Sequence, residues 1–199
     1  MFVTFAICNN NDDFTAIINE RQYDRLQGYL EDAREKGAEL VEINPARENL
    51  KDGTRKLPLT LVLNTTPDMK VMQDEIFGPI LPIVSYGSLD EAIHYINDRP
   101  RPLALYFFGY DKTQQQHVVD NTHSGGMCIN DSLMHVAQDD LPFGGIGDSG
   151  MGHYHGREGF LTFSHHRAIF TKQKFNSGKF VYAPHGTTAH KLVYKFFIR

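Results

Sequence analysis

Twenty-two residues from Asp139 to Phe160 carry seven glycines: Gly144, Gly145, Gly147, Gly150, Gly152, Gly156 and Gly159. Glycine loses more backbone entropy on folding than any other residue, so this density is wasteful inside a helix or strand. It suits a loop that turns through positive φ, or a backbone that approaches a ligand or another chain closely. Loops of that kind, held by a rigid scaffold, carry function more often than cores do.

Two short patterns within the stretch are rejected on context. Gly145-Ile-Gly-Asp-Ser-Gly150 satisfies G-x-G-x-x-G. A phosphate cradle, however, needs a buried strand before it and a helix after it. Leu-Pro-Phe-Gly precedes it, and the following Met151-Gly-His-Tyr-His-Gly156 does not propagate a helix. Gly147-Asp-Ser-Gly150 is similar to the nucleophile loop of trypsin-like serine proteases, but Met151 stands where that loop needs glycine. That chemistry also requires a base and an orienting acid on an all-β scaffold, whereas this chain reads as mixed α and β.

In 199 residues, 20 Lys and Arg against 24 Asp and Glu give a net charge of −4 without a basic stripe, which argues against a nucleic-acid partner. No apolar run reaches a membrane span. Cys8 and Cys128 make no disulfide framework and fit a reducing cytoplasm. The apolar run Phe2 to Cys8 is short and has no basic residue before it, which makes a poor signal peptide.

Local signals place the elements. Asn19 caps a helix, with Gln22 as its capping-box partner and Tyr23, Leu26, Leu30 and Ala33 on one apolar face; Gly37 stops it. Strands are predicted over Glu39 to Ile43, Leu59 to Leu63, Pro79 to Tyr86, Leu103 to Phe108 and Met127 to Ile129. The Leu103 to Phe108 run reads as buried on both faces. Ser88 with Glu91 opens a helix over residues 89–97 with Ile93 and Ile96 inward, and Asp111 with Gln114 opens another. Alternating strands and helices predict an α/β fold of βαβ units around a parallel sheet, with ligands at the loops after the strand ends.

Three ordered motifs then carry a resemblance. Glu75-Ile-Phe-Gly-Pro79, Ser124-Gly-Gly-Met-Cys-Ile-Asn-Asp131, and Leu141-Pro-Phe-Gly-Gly-Ile-Gly-Asp-Ser-Gly-Met-Gly152 with its continuation to Ser164-His165 resemble the C-terminal part of aldehyde dehydrogenases. Within that superfamily the similarity is greatest to the class 3 and coniferyl aldehyde branches. It runs from about Asp12 to the end. The implied fold is part of a three-layer, parallel-sheet α/β catalytic domain plus a C-terminal oligomerisation strand. Residues 1–11 would be an unmatched, frayed lead-in and 12–131 the partial catalytic domain. Residues 132–175 would form the substrate-side loop and oligomerisation strand, and 176–199 the tail.

The resemblance also implies roles. From chemistry alone, Glu75 and Phe77 read as a surface carboxylate beside a core ring. The family pattern instead matches Glu75 to the glutamate that holds the nicotinamide ribose of NAD or NADP, and Phe77 to the phenylalanine beside it. Carried over by position, Asn130, Leu133, Val136, Phe143 and His155 line the aldehyde channel; Leu133 and Val136 read equally well as core. Thr162 to Thr171 reads as a strand that pairs either with a second subunit, giving a homodimer, or within the chain. No metal-ligand spacing emerges from the ten histidines. The C-terminal run from Leu192 to Ile198 is too short for membrane anchoring and is expected to dock on the protein body.

One departure bears on activity. The family's nucleophilic Gly-Gln-x-Cys loop, its base glutamate and its glycine-rich coenzyme loop have no match here. Cys128 sits in a strand and reads as a small buried hydrophobe. The chain is therefore expected to oxidise no aldehyde without the family's N-terminal half. The alternative is a non-catalytic assembly module that keeps the fold and the dimer strand.

Overall fold

Helix α1, Glu20–Glu35, begins where Asn19 adopts an extended backbone and its Oδ1 accepts the Gln22 N–H at 2.9 Å. The reciprocal half of the predicted capping box is not made. Gln22 Oε1 accepts from Arg25 Nε at 2.6 Å instead, because an ionised donor one turn on makes the stronger bond. The buried face is Leu26, Tyr29, Leu30 and Ala33, with Tyr23 half-buried. At the C-terminus Gly37 enters positive φ and donates to Arg34 O, while Ala38 N–H reaches Ala33 O at 2.9 Å. The computed structural model describes residues 11, 13–50, 53–172, 174, 178 and 182–197. Cys8, Ile198 and the predicted lead-in other than Asn11 lie outside the described residues.

The chain divides into two units, Met1–Tyr95 and Ile96–Arg199. In the first, α1 packs with a three-stranded sheet of order β1-β2-β3, formed by β1 (Glu39–Ile43), β2 (Leu59–Leu63) and β3 (Ile80–Pro82). Strand β2 pairs parallel with β3, Thr60 opposite Ile80. It pairs antiparallel with β1, Glu39 opposite Leu63, so this edge strand departs from the parallel pairing of the rest. No helix lies among the described residues between β1 and β2, and a strand that returns without a crossover helix runs antiparallel. Leu26, Ala33, Val62 and Met69 are fully buried at the centre of this unit's core.

Helix α2, Lys70–Gln73, follows Met69, which has no side-chain oxygen to cap it. Asp32 of α1 does so from outside: its Oδ2 accepts the Lys70 N–H at 2.9 Å while Oδ1 pairs with Lys36 at 3.0 Å. The Lys70 amide first, and the Lys36 ammonium next, hold the Asp32 carboxyl below its ordinary range. A group whose folded pKa is lowered stabilises the fold above the unfolded value, near 4, and loses that contribution as pH falls through the folded value. Asp32→Asn is therefore expected to unfold at lower denaturant than the parent at pH 7. The two midpoints should converge below about pH 4, where the parent carboxyl also protonates. A constant gap from pH 7 to pH 3 would show that the charge of Asp32 contributes nothing.

In the second unit, β4 (Ala104–Phe107) and β5 (Gly126–Ile129) run parallel with Ala104 opposite Gly126, joined through α4, Lys112–Asn121. Asp111 caps α4 through Thr113 and Gln114, as the sequence predicts. Helix α3, Leu89–Asn97, most of which belongs to the first unit, buries Ile93, with Ile96 half-buried. The expectation that Leu103 to Phe108 is buried on both faces fails. Leu105 is buried, whereas Leu103, Tyr106 and Phe108 stay exposed, Tyr106 with only the edge of the His135 ring against it.

The glycine-rich stretch holds an isolated bridge between Phe143 and Tyr154, a 3-10 turn at Gly147–Ser149 and helix α5, Gly156–Thr162. Helix here corrects the reading of the whole stretch as loop. Only the first residue of α5 needs glycine for its conformation: Gly156 has φ +49, and a Cβ there would lie 3.0 Å from Asp139 O. G-x-G-x-x-G lacks the strand and helix that a phosphate cradle needs; Ser149 Oγ bonds Ile146 N and O instead.

The predicted strand over Thr162 to Thr171 is not formed within the chain. Thr162 ends α5, and residues 163–172 have no regular structure. A strand requires a partner for its ladder, and no described residue pairs with this one. Ile169 and Phe170 are left exposed. Helix α6, Thr188–Phe197, closes the described chain and buries His190. No described helix is long and apolar enough to cross a membrane.

Candidate functional site

In the first unit the Glu75–Pro79 motif forms a turn between α2 and β3, held against the helix that faces it. Arg25 of α1 donates from Nη1 to Glu75 O at 3.0 Å and from Nη2 to Ile76 O at 2.6 Å. The same Nη1 reaches Tyr29 Oη at 3.0 Å, and the Tyr29 hydroxyl donates to Asp74 Oδ2 at 2.9 Å. Gly78 lies on Leu26: a Cβ at residue 78 would come within 2.5 Å of Leu26 Cδ1. Pro79 O accepts the Thr60 N–H at 2.9 Å, tying the far end of the turn to β2.

What this anchoring presents is chemical. Phe77 takes φ +50, a left-handed conformation that costs a non-glycine residue about 1–2 kcal/mol. Phe77 is 84% exposed, which overturns the reading of it as core. Strained, over-determined backbone of this kind clusters at ligand sites. The Glu75 side chain is exposed and makes no hydrogen bond or ion pair among the described residues, so both carboxylate oxygens can accept. Glu75, Phe77 and Pro79 border an open cleft of about 1050 Å³ shared with Ile18, Arg21 and Gln22. A free carboxylate beside a bare aromatic face fits a vicinal diol next to a flat heterocycle.

The second unit carries the other predicted residues. Asn130, at φ +60, follows β5. Its Oδ1 accepts the Gly109 N–H at 2.8 Å and its Nδ2 donates to Gly109 O at 3.0 Å. The amide predicted to face substrate is thus committed to the loop after β4. Leu133, at φ +65, is exposed; Val136, half-buried, closes a turn by donating to Leu133 O at 2.9 Å. Phe143 and His155 come together, their rings stacked at 6.2 Å and 29°. Tyr154 joins edge-on, 5.4 Å from Phe143 and 4.5 Å from His155. His155 Nδ1 is buried without a hydrogen-bond partner. Asp139 and Asp140 are exposed loop charges.

Two residues were missed. His135, buried between Leu133 and Val136, sits 3.2 Å through Nδ1 from Cys128 Sγ, and its backbone N–H donates to the same sulfur at 3.3 Å. Its ring also contacts Tyr106 and Phe143. Cys128 is buried, as expected, and it additionally pins the 131–136 loop to β5. The only signal was a histidine in an otherwise apolar run, which spacing alone does not assign. Arg25 is the other, and a charged residue outside the apolar face of a helix gives no local signal of the turn it holds. Among the described residues no three His, Cys, Asp or Glu side chains converge as metal ligands.

The aldehyde dehydrogenase family model matches residues 6–169, and the chain belongs to that family. A probable coniferyl aldehyde dehydrogenase of Pseudomonas aeruginosa is 60% identical over 195 residues, 98% of this chain and 40% of the relative. The coniferyl aldehyde dehydrogenase of Pseudomonas sp. strain HR199 is 47% identical, over 92% of this chain and 39% of its own length. The chain thus spans about two fifths of the length of these curated relatives. Among solved structures, the substrate-bound AldH of Staphylococcus aureus matches with a TM-score of 0.72 at 42% identity, over 92% of this chain and 38% of that one. A Mycobacterium tuberculosis aldehyde dehydrogenase complexed with NAD+ matches with a TM-score of 0.71 at 28% identity, over 81% and 32%.

Proposed function

We propose that this chain is the C-terminal portion of an NAD- or NADP-dependent aldehyde dehydrogenase, supplying the coenzyme-ribose contact and part of the aldehyde channel. The observation that carries the reading is the Glu75–Phe77 pair, a free carboxylate and an exposed ring on a turn anchored from behind. Bound coenzyme supplies the hydride acceptor; the protein's part is orientation. Glu75 would accept from both ribose hydroxyls, and Phe77 would flank the ring system.

On the channel side, Leu133, Val136, Phe143 and His155 would line the aldehyde path. Asn130 would shape it indirectly by clasping Gly109. The stacked Phe143 and His155 rings favour a planar aromatic aldehyde such as coniferyl aldehyde over a medium-chain one. The nucleophilic cysteine, the base glutamate and the glycine-rich coenzyme loop would come from an N-terminal half outside this chain. The exposed segment 164–171 would pair with a second copy to make a homodimer. The two cysteines, without a disulfide framework, fit a cytoplasmic enzyme.

The test is co-expression with an N-terminal half from the family. Purified chain alone is expected to reduce no coenzyme with aldehyde, and the complemented pair is expected to do so. In the pair, Glu75→Gln should raise the coenzyme KM about tenfold, the loss of one charge-assisted contact. A pair that stays inactive although assembled would favour the non-catalytic module, and turnover by the chain alone would overturn the placement of the nucleophile outside it.

A further inference from the structure

We propose that Arg25 is the positioning residue of the coenzyme turn, holding the carbonyls of Glu75 and Ile76 so that the Glu75 carboxylate and Phe77 ring face the ligand. The inference rests on the coenzyme reading above. Three observations converge. The guanidinium reaches two consecutive carbonyls 50 and 51 residues away, directly before the residue at positive φ. Fixing the Ile76 carbonyl fixes the plane of the peptide that leads into Phe77, which is where the left-handed turn is decided.

The arginine is itself immobilised. Nε donates to Gln22, Nη1 also donates to Tyr29 Oη, and the guanidinium carbon lies 5.0 Å from the Tyr29 ring centroid. Tyr29 in turn holds Asp74 at the start of the turn. Arginine is required here rather than a cation in general. A planar fork can donate to two carbonyls and a hydroxyl at once, whereas a lysine ammonium is a point charge on a flexible stem. Helix α1 therefore acts as the rigid platform from which the ligand-facing turn is aimed, as a precise site demands.

The experiment uses a full-length chimera in which this chain replaces the matching segment of the Pseudomonas aeruginosa relative, with NADH binding read by fluorescence titration. Arg25→Ala is expected to weaken NADH binding and raise the coenzyme KM about tenfold, with kcat at saturating coenzyme within about threefold of the parent. Millimolar ethylguanidinium should restore much of the affinity. Arg25→Lys keeps the charge and the alkyl stem over Tyr29. It should show the same weakening with a melting temperature near the parent's, which separates aiming from stability. In the 199-residue chain, amide exchange should accelerate in both variants at Thr60 and Ile80, whose N–H groups donate to Pro79 O and Gly78 O. Parental affinity in Arg25→Lys, or unaltered exchange at Ile80, overturns the proposal. Glu75→Gln separates the two ideas: if it leaves NADH affinity unchanged, the coenzyme reading falls and this inference with it. If it weakens binding while both Arg25 variants do not, only the role of Arg25 falls.

Discussion

Gly144→Ala is expected to lower the melting temperature of the purified chain by about 10 °C. The cause is steric and backbone-bound. A Cβ at residue 144 would overlap the carbonyl oxygen of Gly152 and lie 3.1 Å from His153 Cα. Gly144 O itself lies where a Cβ on Gly125 would have to go, so three backbone segments approach one another without a side chain between them. Relief requires parting the Phe143–Tyr154 bridge, whose two N–H···O bonds are each 2.9 Å. Overpacking against backbone costs about 3 kcal/mol or more, and each kcal/mol lowers the melting temperature of a chain this size by roughly 2–4 °C. Gly28→Ala is the control. Residue 28 is inside α1 with nothing within 4 Å of a new Cβ, so the same substitution should stabilise by about 0.5–1 kcal/mol. Equal melting temperatures for the two variants would refute the close-approach account.

The second large effect is expected at Asn130. Asn130→Leu keeps the bulk but removes both partners of Gly109 and places a branched apolar residue at φ +60. The two losses are unequal. Gly109 O still accepts from Gln115 Nε2 at 2.7 Å, whereas the Gly109 N–H has no other acceptor among the described residues. An amide left without an acceptor costs about 1–3 kcal/mol and the left-handed backbone about 1 more, so a total near 3 kcal/mol is expected in urea titration. Asn130→Asp keeps the acceptor for Gly109 N–H and should lose roughly 1 kcal/mol. If Leu and Asp prove equally mild, the clasp between the loops after β4 and β5 contributes little. Leu133 and Val136 would then owe their placement to His135 and Cys128.

These two sites show how far local reading reaches. The glycine density announced close backbone approach and the Asn130 motif announced a site, yet neither pattern says which chain segment comes close or what the amide bonds.

The amino-acid sequence by itself determined the start of α1 at Asn19, the cap of α4 at Asp111, the positions of β1, β2, β4 and β5 and the three motifs of the family. Each such signal is complete within a few residues, since a cap or a hydrophobic period closes on its own neighbours. Tertiary structure alone decided the antiparallel return of β1 onto β2 and the absence of a strand after Thr162. It also decided the exposure of Phe77, the commitment of Asn130 to Gly109 and the grip of Arg25 on a turn 50 residues away. In each case the deciding partner is distant in sequence or has no counterpart among the described residues, and a hydrogen-bonding group takes whichever partner packing brings within 3 Å, which no local pattern encodes.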